Sequence, residues 1–545
     1  MQNPFIRHRL AQCVPLLAAT KRKEGNKAMA NKNLFSSIIG KLIPATNTRN
    51  SEGAPAYCFK PEHALAQYAA TGCLNSTFYA SAEMQAKEVL ALCASVEPEF
   101  IALTAIYCRE RGFMKDMPAL LLAMLAVRDV KLLGEVFHRV IDNGKMLRNF
   151  VQIMRSGVTG RKSLGTAPKR MIREWFDARS DEALFNASVG QAPSMADIIK
   201  MVHPKPKDAS RQSLYGYLIG REHKADDLPE KVRRFEAFKA GLNTEVPDVP
   251  FQMLTSLDLR EREWTEIARN ASWQMTRMNL NTFARHGVFE QRGMSELIAN
   301  RLSNREEIRR ARAFPYQLLA AYKNADEKVP REVRNALHEA MEIATENVPV
   351  IDGKVYVCPD VSGSMSWSVT GLRQGATSAI RCIDVAALVA SAIVRRNRDA
   401  EVLPFEQDVV DVRLSVNEPI LKNAEKLASI GGGGTSCSAP LALLNRRNAK
   451  GELVIFISDN ESWVDAGRGR GTALMAEWNA FKSRNPGARL VCIDIQPYAT
   501  TQAAEREDIL NIGGFSDQVF DVIAEFAAGR LSADHWIGVI ESVKL

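Results

Sequence analysis

No apolar run in this chain is long enough to cross a bilayer: Ala119–Val127, the longest, is about half the roughly 20 residues a spanning helix needs. No membrane partner is expected. CxxC pairs are also absent, and the nine cysteines (13, 58, 73, 93, 108, 358, 382, 437 and 492) are odd in number and scattered. That argues against a disulfide framework or a zinc knuckle and suits small core residues in a reducing cytoplasm. With 46% hydrophobic and 25% charged residues, neither wholesale disorder nor a fibrous fold fits. Leu10–Thr20, set between Arg7/Arg9 and Lys21–Lys23, has the outline of a secretion signal. Gln12, Pro15 and the second basic cluster weaken that reading, and Met29 offers an alternative start.

What is there divides in two. The net charge of +8 is the sum of +12 over residues 1–350 (51 Lys+Arg, 39 Asp+Glu) and −4 over 351–545 (20 against 24). A polyanion suits the first part and a cation the second. Residues 1–47 read as a basic, partly flexible arm, ordering only around Leu34–Ile43. From 48 to 350 the pattern is helical. Ala86, Val89, Leu90 and Cys93 form one stripe, Ile101, Thr104, Ala105 and Cys108 another, and Val333, Leu337, Ala340, Met341 and Ala344 a third. So many short helices exceed a bundle and indicate a helical-repeat array, although no strict sequence period is visible. After Pro349 the apolar runs Lys354–Cys358, Glu452–Ile457 and Arg489–Ile495 alternate with helical patterns at Val385–Val394 and Thr472–Phe481. This grammar predicts an α/β domain over 351–545, a doubly wound parallel sheet.

Ligands of such sheets sit at the carboxyl ends of the strands. Asp360, Ser362 and Ser364 follow the first predicted strand, and Ser458, Asp459, Asn460 and Glu461 follow the second. Gly431–Ser436 adds a glycine run ending in Thr435. Oxygen donors without sulfur or imidazole suit a hard divalent cation, Mg²⁺, Mn²⁺ or Ca²⁺. Alone, the first motif reads equally as turn and capping chemistry. Together the residues Asp360-x-Ser362-x-Ser364, Thr435 and Asp459 resemble the metal-ion-dependent adhesion site of the von Willebrand factor A domain. The resemblance implies direct coordination by Ser362 and Ser364, Thr435 direct or through water, Asp360 and Asp459 largely through water, and an open position for a partner's carboxylate. Mg²⁺ is the first choice of ion. No positioned base or nucleophile accompanies these donors, so no enzyme is expected.

Lys145, Arg148, Arg155, Arg161, Lys162, Lys169, Arg170 and Arg173 put eight positive charges into 29 residues with no acid before Glu174. A phosphate backbone is the matching partner. Gly157–Ser163 mimics a phosphate loop, but Arg161 stands between Gly160 and Lys162 and no strand precedes it. Asp197–Lys207 carries His203 among three lysines, with Tyr215 and Tyr217 close behind, a set able to stack on unpaired bases.

Arg155–Arg170, its continuation Ile172–Phe176, and Asp197–Pro204 resemble the RNA-binding TROVE module of the Ro autoantigen family, over roughly residues 48–350. The adhesion-type domain follows in the family's order, as in a bacterial Ro protein. The resemblance implies a HEAT-like helical ring closed by the A domain. It further implies Y-type noncoding RNA on the outer surface, single-stranded 3′ ends of misfolded RNA in a central hole, and recruitment of an exoribonuclease such as polynucleotide phosphorylase for RNA quality control by a cytoplasmic monomer. RNA contact is carried over to Lys169, Arg170, Arg173 and His203, with Arg161 and Lys162 added on charge. The competing expectation is a metal-dependent interaction module that recruits an acidic partner without RNA.

Overall fold

The structure, a computed structural model, describes residues 43–71, 74–311, 313, 315–346, 348–371, 380–466, 471–514, 517–531 and 535–545. The signal-like stretch, Met29 and the patch expected to order before Ile43 lie outside the described residues. Two short strands open the described chain, β1 (Thr48–Arg49) and β2 (Pro55–Cys58). Helices then follow one another from Pro61–Thr71 to Arg331–Ala344.

Local chemistry sets their ends. Ser81, Asp129, Asn143, Ser180, Ser194 and Asp208 stand at N-caps, each side-chain oxygen accepting a first-turn backbone N–H. Gly157, in the left-handed region at φ 85°, ends the helix Gly144–Ser156. The phosphate-loop look-alike thus begins at a helix end rather than after a strand. The apolar stripes face inward: Ile101, Thr104, Ala105 and Cys108 are buried, as is the whole Val333–Ala344 set, whereas Ala86 and Leu90 are only half-buried.

A period invisible in the sequence emerges in how helix ends are tied. Arg128 donates to the carbonyl of Cys93, Arg161 to Ala126 (3.0 Å), Trp175 Nε1 to Ile141 (2.7 Å), Arg211 to Phe176 (3.1 Å) and Arg301 to Ala268 (2.8 Å). The separations are 35, 35, 34, 35 and 33 residues. Each donor reaches a carbonyl at or near a helix C-terminus, where the helix's own N–H groups run out. The repeat is therefore written in buried polar ties between successive helix pairs, which Arg and Trp fill interchangeably.

The remaining chain builds a five-stranded parallel sheet from β3 (Val355–Pro359), β4 (Glu401–Val402), β5 (Leu453–Ser458), β6 (Arg489–Asp494) and β8 (Ile509–Gly513), in the order β4-β3-β5-β6-β8. The sequence pattern finds three of these; β4 is too short and β8 too interrupted by Asn511 to show. Successive side chains along a strand point to opposite faces. Val355, Val357, Ile455, Ile457, Val491 and Ile493 share one core with Cys382–Arg396 and the helical array. Tyr356, Cys358, Val454, Phe456, Leu490 and Cys492 pack the other face against Ala439–Arg446 and Ala473–Arg484.

Both ends of the helical array rest on this domain. At the beginning, β2 pairs antiparallel with β7 (Thr500–Thr501), and Pro61–Thr71 packs on β8 and on the helix His535–Glu541. At the end, Pro315–Lys323 lies on Cys382–Arg396 and Arg331–Ala344 on Ile420–Ala428. The contacts close a ring in which the α/β domain joins first helix to last.

Candidate functional site

The sheet's order reverses between β3 and β5, and the carboxyl ends of these two strands carry Asp360 and Asp459. Asp360 is fully buried and both its oxygens are engaged: Oδ1 accepts the Ser362 N–H (2.8 Å) and Oδ2 the Ser458 hydroxyl (2.6 Å). The hydroxyl oxygens of Ser362 and Ser364 lie 3.4 Å apart, and Ser364 lies close to the Asp459 carboxylate. Thr435 joins them by an unforeseen route. Its glycine run leaves no strand; it links the helices Ile420–Ala428 and Ala439–Arg446. The loop is held in place by Gly363 N–H donating to the Gly433 carbonyl (3.0 Å) and by Glu406, whose carboxylate accepts the Gly433 N–H (2.9 Å). Trp463 and Val464 both donate to the Thr435 carbonyl, at 3.0 Å each. Asp360, Ser362, Ser364 and Asp459 thus meet at the two strand ends, with Thr435 on the loop that Gly363 anchors beside them, each of the five no more than 6% exposed.

Burial raises the pKa of Asp360 and of Asp459, the charge of Asp459 adding to the shift at Asp360. Burial likewise pushes Glu461 up to about 8 and Asp494 well above the usual carboxylate range. Among the described residues no Lys, Arg or His pairs with any of the four. Two buried carboxylates and three hydroxyls, negative in sum and lacking a counter-charge, fit a hard divalent cation. Ser458 and Glu461 belong to the strand-end loop the sequence pointed to, but Asp494 beside them was not singled out. An acid ending an apolar strand, as Asp494 does, was the available signal.

The basic stretch forms a second feature. The helix Thr166–Asp177 buries Pro168, Met171, Ile172, Trp175 and Phe176, a spacing that leaves Lys169 half-buried and turns Arg170 and Arg173 outward. Arg173 donates to the carbonyl of Val202 (2.6 Å), the last residue of the helix Met195–Val202, whose C-cap is the exposed His203 at φ 50°. Arg173 and His203 are thereby brought side by side. Arg170 faces Glu174 at 3.6 Å. Arg161 is held elsewhere, at the Ala126 carbonyl, and the neighbouring Lys162 is exposed. A cleft of about 670 Å³ opens between Gln152–Ser156, the Ala192–Pro193 turn and the helix carrying Lys200, with Arg155 on its wall. The nearby acid Asp197 is turned to cap its own helix, accepting from the Ser194 N–H (2.9 Å) and hydroxyl (2.7 Å).

A ring of helical repeats carrying a basic face and closed by an adhesion-type α/β domain defines the class. Residues 197–407 match the family described as the TROVE domain and residues 354–527 the Ro60 vWA domain. A Deinococcus radiodurans protein named RNA-binding protein RO60 is 23% identical over 546 residues, spanning 92% of this chain and all of the relative. A Caenorhabditis elegans protein of the same name is 23% identical over 293 residues, which is 51% of this chain and 44% of the relative. The crystal structure of the Deinococcus radiodurans Ro (RSR) protein shares the fold at a TM-score of 0.59 and 20% identity, covering 87% of this chain and all of that one. The chain belongs to the Ro60 family of TROVE and vWA proteins, and the relative matched along its full length is bacterial.

Proposed function

We propose that the protein is an RNA-binding scaffold rather than an enzyme, holding RNA on the face formed by Thr166–Asp177 and Met195–His203. The observation that carries this is the seating of Arg173 against the end of the His203 helix. It sets a guanidinium and an imidazole side by side with Lys169 and Arg170 on the same helix and Arg155 and Lys200 at the adjoining cleft. Guanidinium and ammonium groups hold phosphates, and an exposed imidazole stacks on a base. Both matched relatives carry the name RNA-binding protein, which supports the same reading.

In this proposal the RNA is a Y-type noncoding RNA on the outer face, and single-stranded 3′ ends of misfolded RNA enter the ring. An exoribonuclease such as polynucleotide phosphorylase is recruited to them, in the cytoplasm, by a monomer. No helix of the described residues is long and apolar enough to cross a membrane. Cys93, Cys108, Cys358, Cys437 and Cys492 are free thiols, which fits a reducing compartment. Asp360, Ser362, Ser364, Thr435 and Asp459 would hold Mg²⁺, or Mn²⁺ or Ca²⁺ in its place, and the ion would neutralise the buried carboxylates. The test is to purify the protein from its host at low salt and sequence what accompanies it. A discrete small structured RNA is expected; nucleic-acid-free protein that retains no added RNA would refute the reading.

A further inference from the structure

An adhesion-type site that recruits a partner must show its cation to solvent, yet here the donors are covered by the chain's own beginning. The turn 50–53 lies on the loop after Asp459: Asn50 Nδ2 donates to the Ser462 carbonyl (2.6 Å) and the Ser51 N–H to Glu461 Oε2 (2.7 Å). The loop 74–81 covers the other side. The Tyr79 hydroxyl lies close to Ser364, the Tyr79 ring meets Tyr498 edge-on at 5.5 Å, and the Tyr498 hydroxyl donates to Thr77 Oγ1 (3.3 Å). Phe78 meets Trp367 at 5.5 Å, and Asn75 Nδ2 donates to the Thr370 carbonyl (2.8 Å), both just beyond Ser364. From the first helix, Gln67 Nε2 reaches Asp494 (3.2 Å).

The ring has two seams on the α/β domain. Where Arg331–Ala344 meets Ile420–Ala428, the chain runs on directly into β3, so that seam is backed by a covalent connection. Where β1, β2 and the loop 74–81 meet the sheet, the contacts among the described residues are strand pairing, hydrogen bonds and ring packing. The buried carboxylates lie at this second seam.

We propose that the cation site is a clasp for the chain's own N-terminal segment. A divalent cation on Asp360, Ser362, Ser364, Thr435 and Asp459 fixes residues 48–58 and 74–81 against the α/β domain, and the position an adhesion-type site offers to a partner faces Tyr79. The proposal rests on the cation reading above. Without the ion, uncompensated carboxylates at the seam repel one another and the seam loosens; with it, the ring is shut.

The experiment uses the full-length protein, stripped with chelator and then given Mg²⁺, read by hydrogen exchange with calorimetry for ion binding. Mg²⁺ is expected to slow exchange at least tenfold in peptides covering 48–58 and 74–81, to leave Met195–Val202 unchanged, and to do neither in Asp360→Asn. Tb³⁺ in place of Mg²⁺ is expected to show tyrosine-sensitised emission that falls several-fold in Tyr79→Phe while Tb³⁺ affinity is retained. Should Asp360→Asn not fold, the wild-type comparison with and without Mg²⁺ stands alone. Ion binding without protection of 48–58 and 74–81 overturns the clasp and leaves the cation reading standing; no ion binding to the wild type overturns both. Acetate that tightens Mg²⁺ binding and speeds exchange at 74–81 would return the open position to an outside carboxylate.

Discussion

Reversing Lys169, Arg170 and Arg173 to Glu tests the RNA face with little disturbance of the fold, because the buried side of their helix, Met171, Ile172, Trp175 and Phe176, is untouched. The three positions are not equivalent. Arg170 already shares its charge with Glu174 at 3.6 Å, an exposed i,i+4 pair contributing about 0.3–0.5 kcal/mol, so it is the weakest of the three. Arg173 also ties the end of the His203 helix through the Val202 carbonyl, and its loss costs about 1 kcal/mol of stability. At about 1 kcal/mol per phosphate contact the triple variant loses about 3 kcal/mol of binding, an affinity loss of about a hundredfold. Neutralising about six phosphates on single-stranded RNA gives a log-log salt slope of about −4, and removing three contacts reduces it to about −2. The assay is a filter-binding or anisotropy titration of single-stranded RNA across salt concentrations, with circular dichroism as the control for folding. A natively folded variant with unchanged affinity and unchanged slope would refute the assignment of this face.

The cation site predicts a pH-dependent stability. Its acids have folded pKa values above their unfolded ones, so without the ion their contribution to stability is fully present below about pH 4 and is lost as pH rises toward 8, through the raised value of Glu461. Mg²⁺ at a hundred times its Kd adds about 2.7 kcal/mol, and thermal melts should show a larger gain at pH 8 than at pH 5, where protons compete. Equal gains at both would sink the assignment. Asp360→Asn removes one of the clustered charges and is expected to raise the ion-free melting temperature at pH 8 while abolishing the Mg²⁺ response. Trp175→Ala removes a fully buried ring, its hydrogen bond to Ile141 and the Arg179 guanidinium stacked 3.6 Å above it, and should cost about 3–5 kcal/mol in denaturant melts. A loss under 1 kcal/mol would mean that the repeat ties carry little of the array's stability.

The helical stripes, three of the five parallel strands and the placing of Asp360, Ser362, Ser364 and Asp459 at strand ends were legible in the sequence because each depends on short-range spacing: 3.6 for a helix, continuous apolar runs for a covered strand, Asp-x-Ser-x-Ser for a strand end. What escaped depends on long-range geometry. The spacing of about 35 residues is carried by Arg128, Arg161, Trp175, Arg211 and Arg301, four arginines and a tryptophan that nothing local distinguishes from the chain's other arginines and tryptophans. The loop of Thr435 joins two helices rather than following a strand, because glycines leave no trace of the element that precedes them. Tyr79 and Ser51 carry no local signal at all; only pairing across more than 280 residues brings them to Ser364 and Glu461. On the basic face, charge density picked out the helix Thr166–Asp177, but that Arg173 and His203 become neighbours while Arg161 is tied to a helix end follows from how two helices dock.

One continuous core takes in the helical array and a whole face of the sheet, from Leu65 through Ala344 to Ile512. The TROVE match itself runs on through β3 and the helix Cys382–Arg396 to residue 407. Cutting the chain near residue 350 would therefore expose Ile383, Val385 and Leu388 together with the apolar faces of Leu318, Leu337 and Met341. The two parts are separable as motifs but not as thermodynamic units. Any strain that RNA puts on the helices reaches the sheet through shared packing, so the α/β domain senses the state of the ring as a keystone senses the load on its arch.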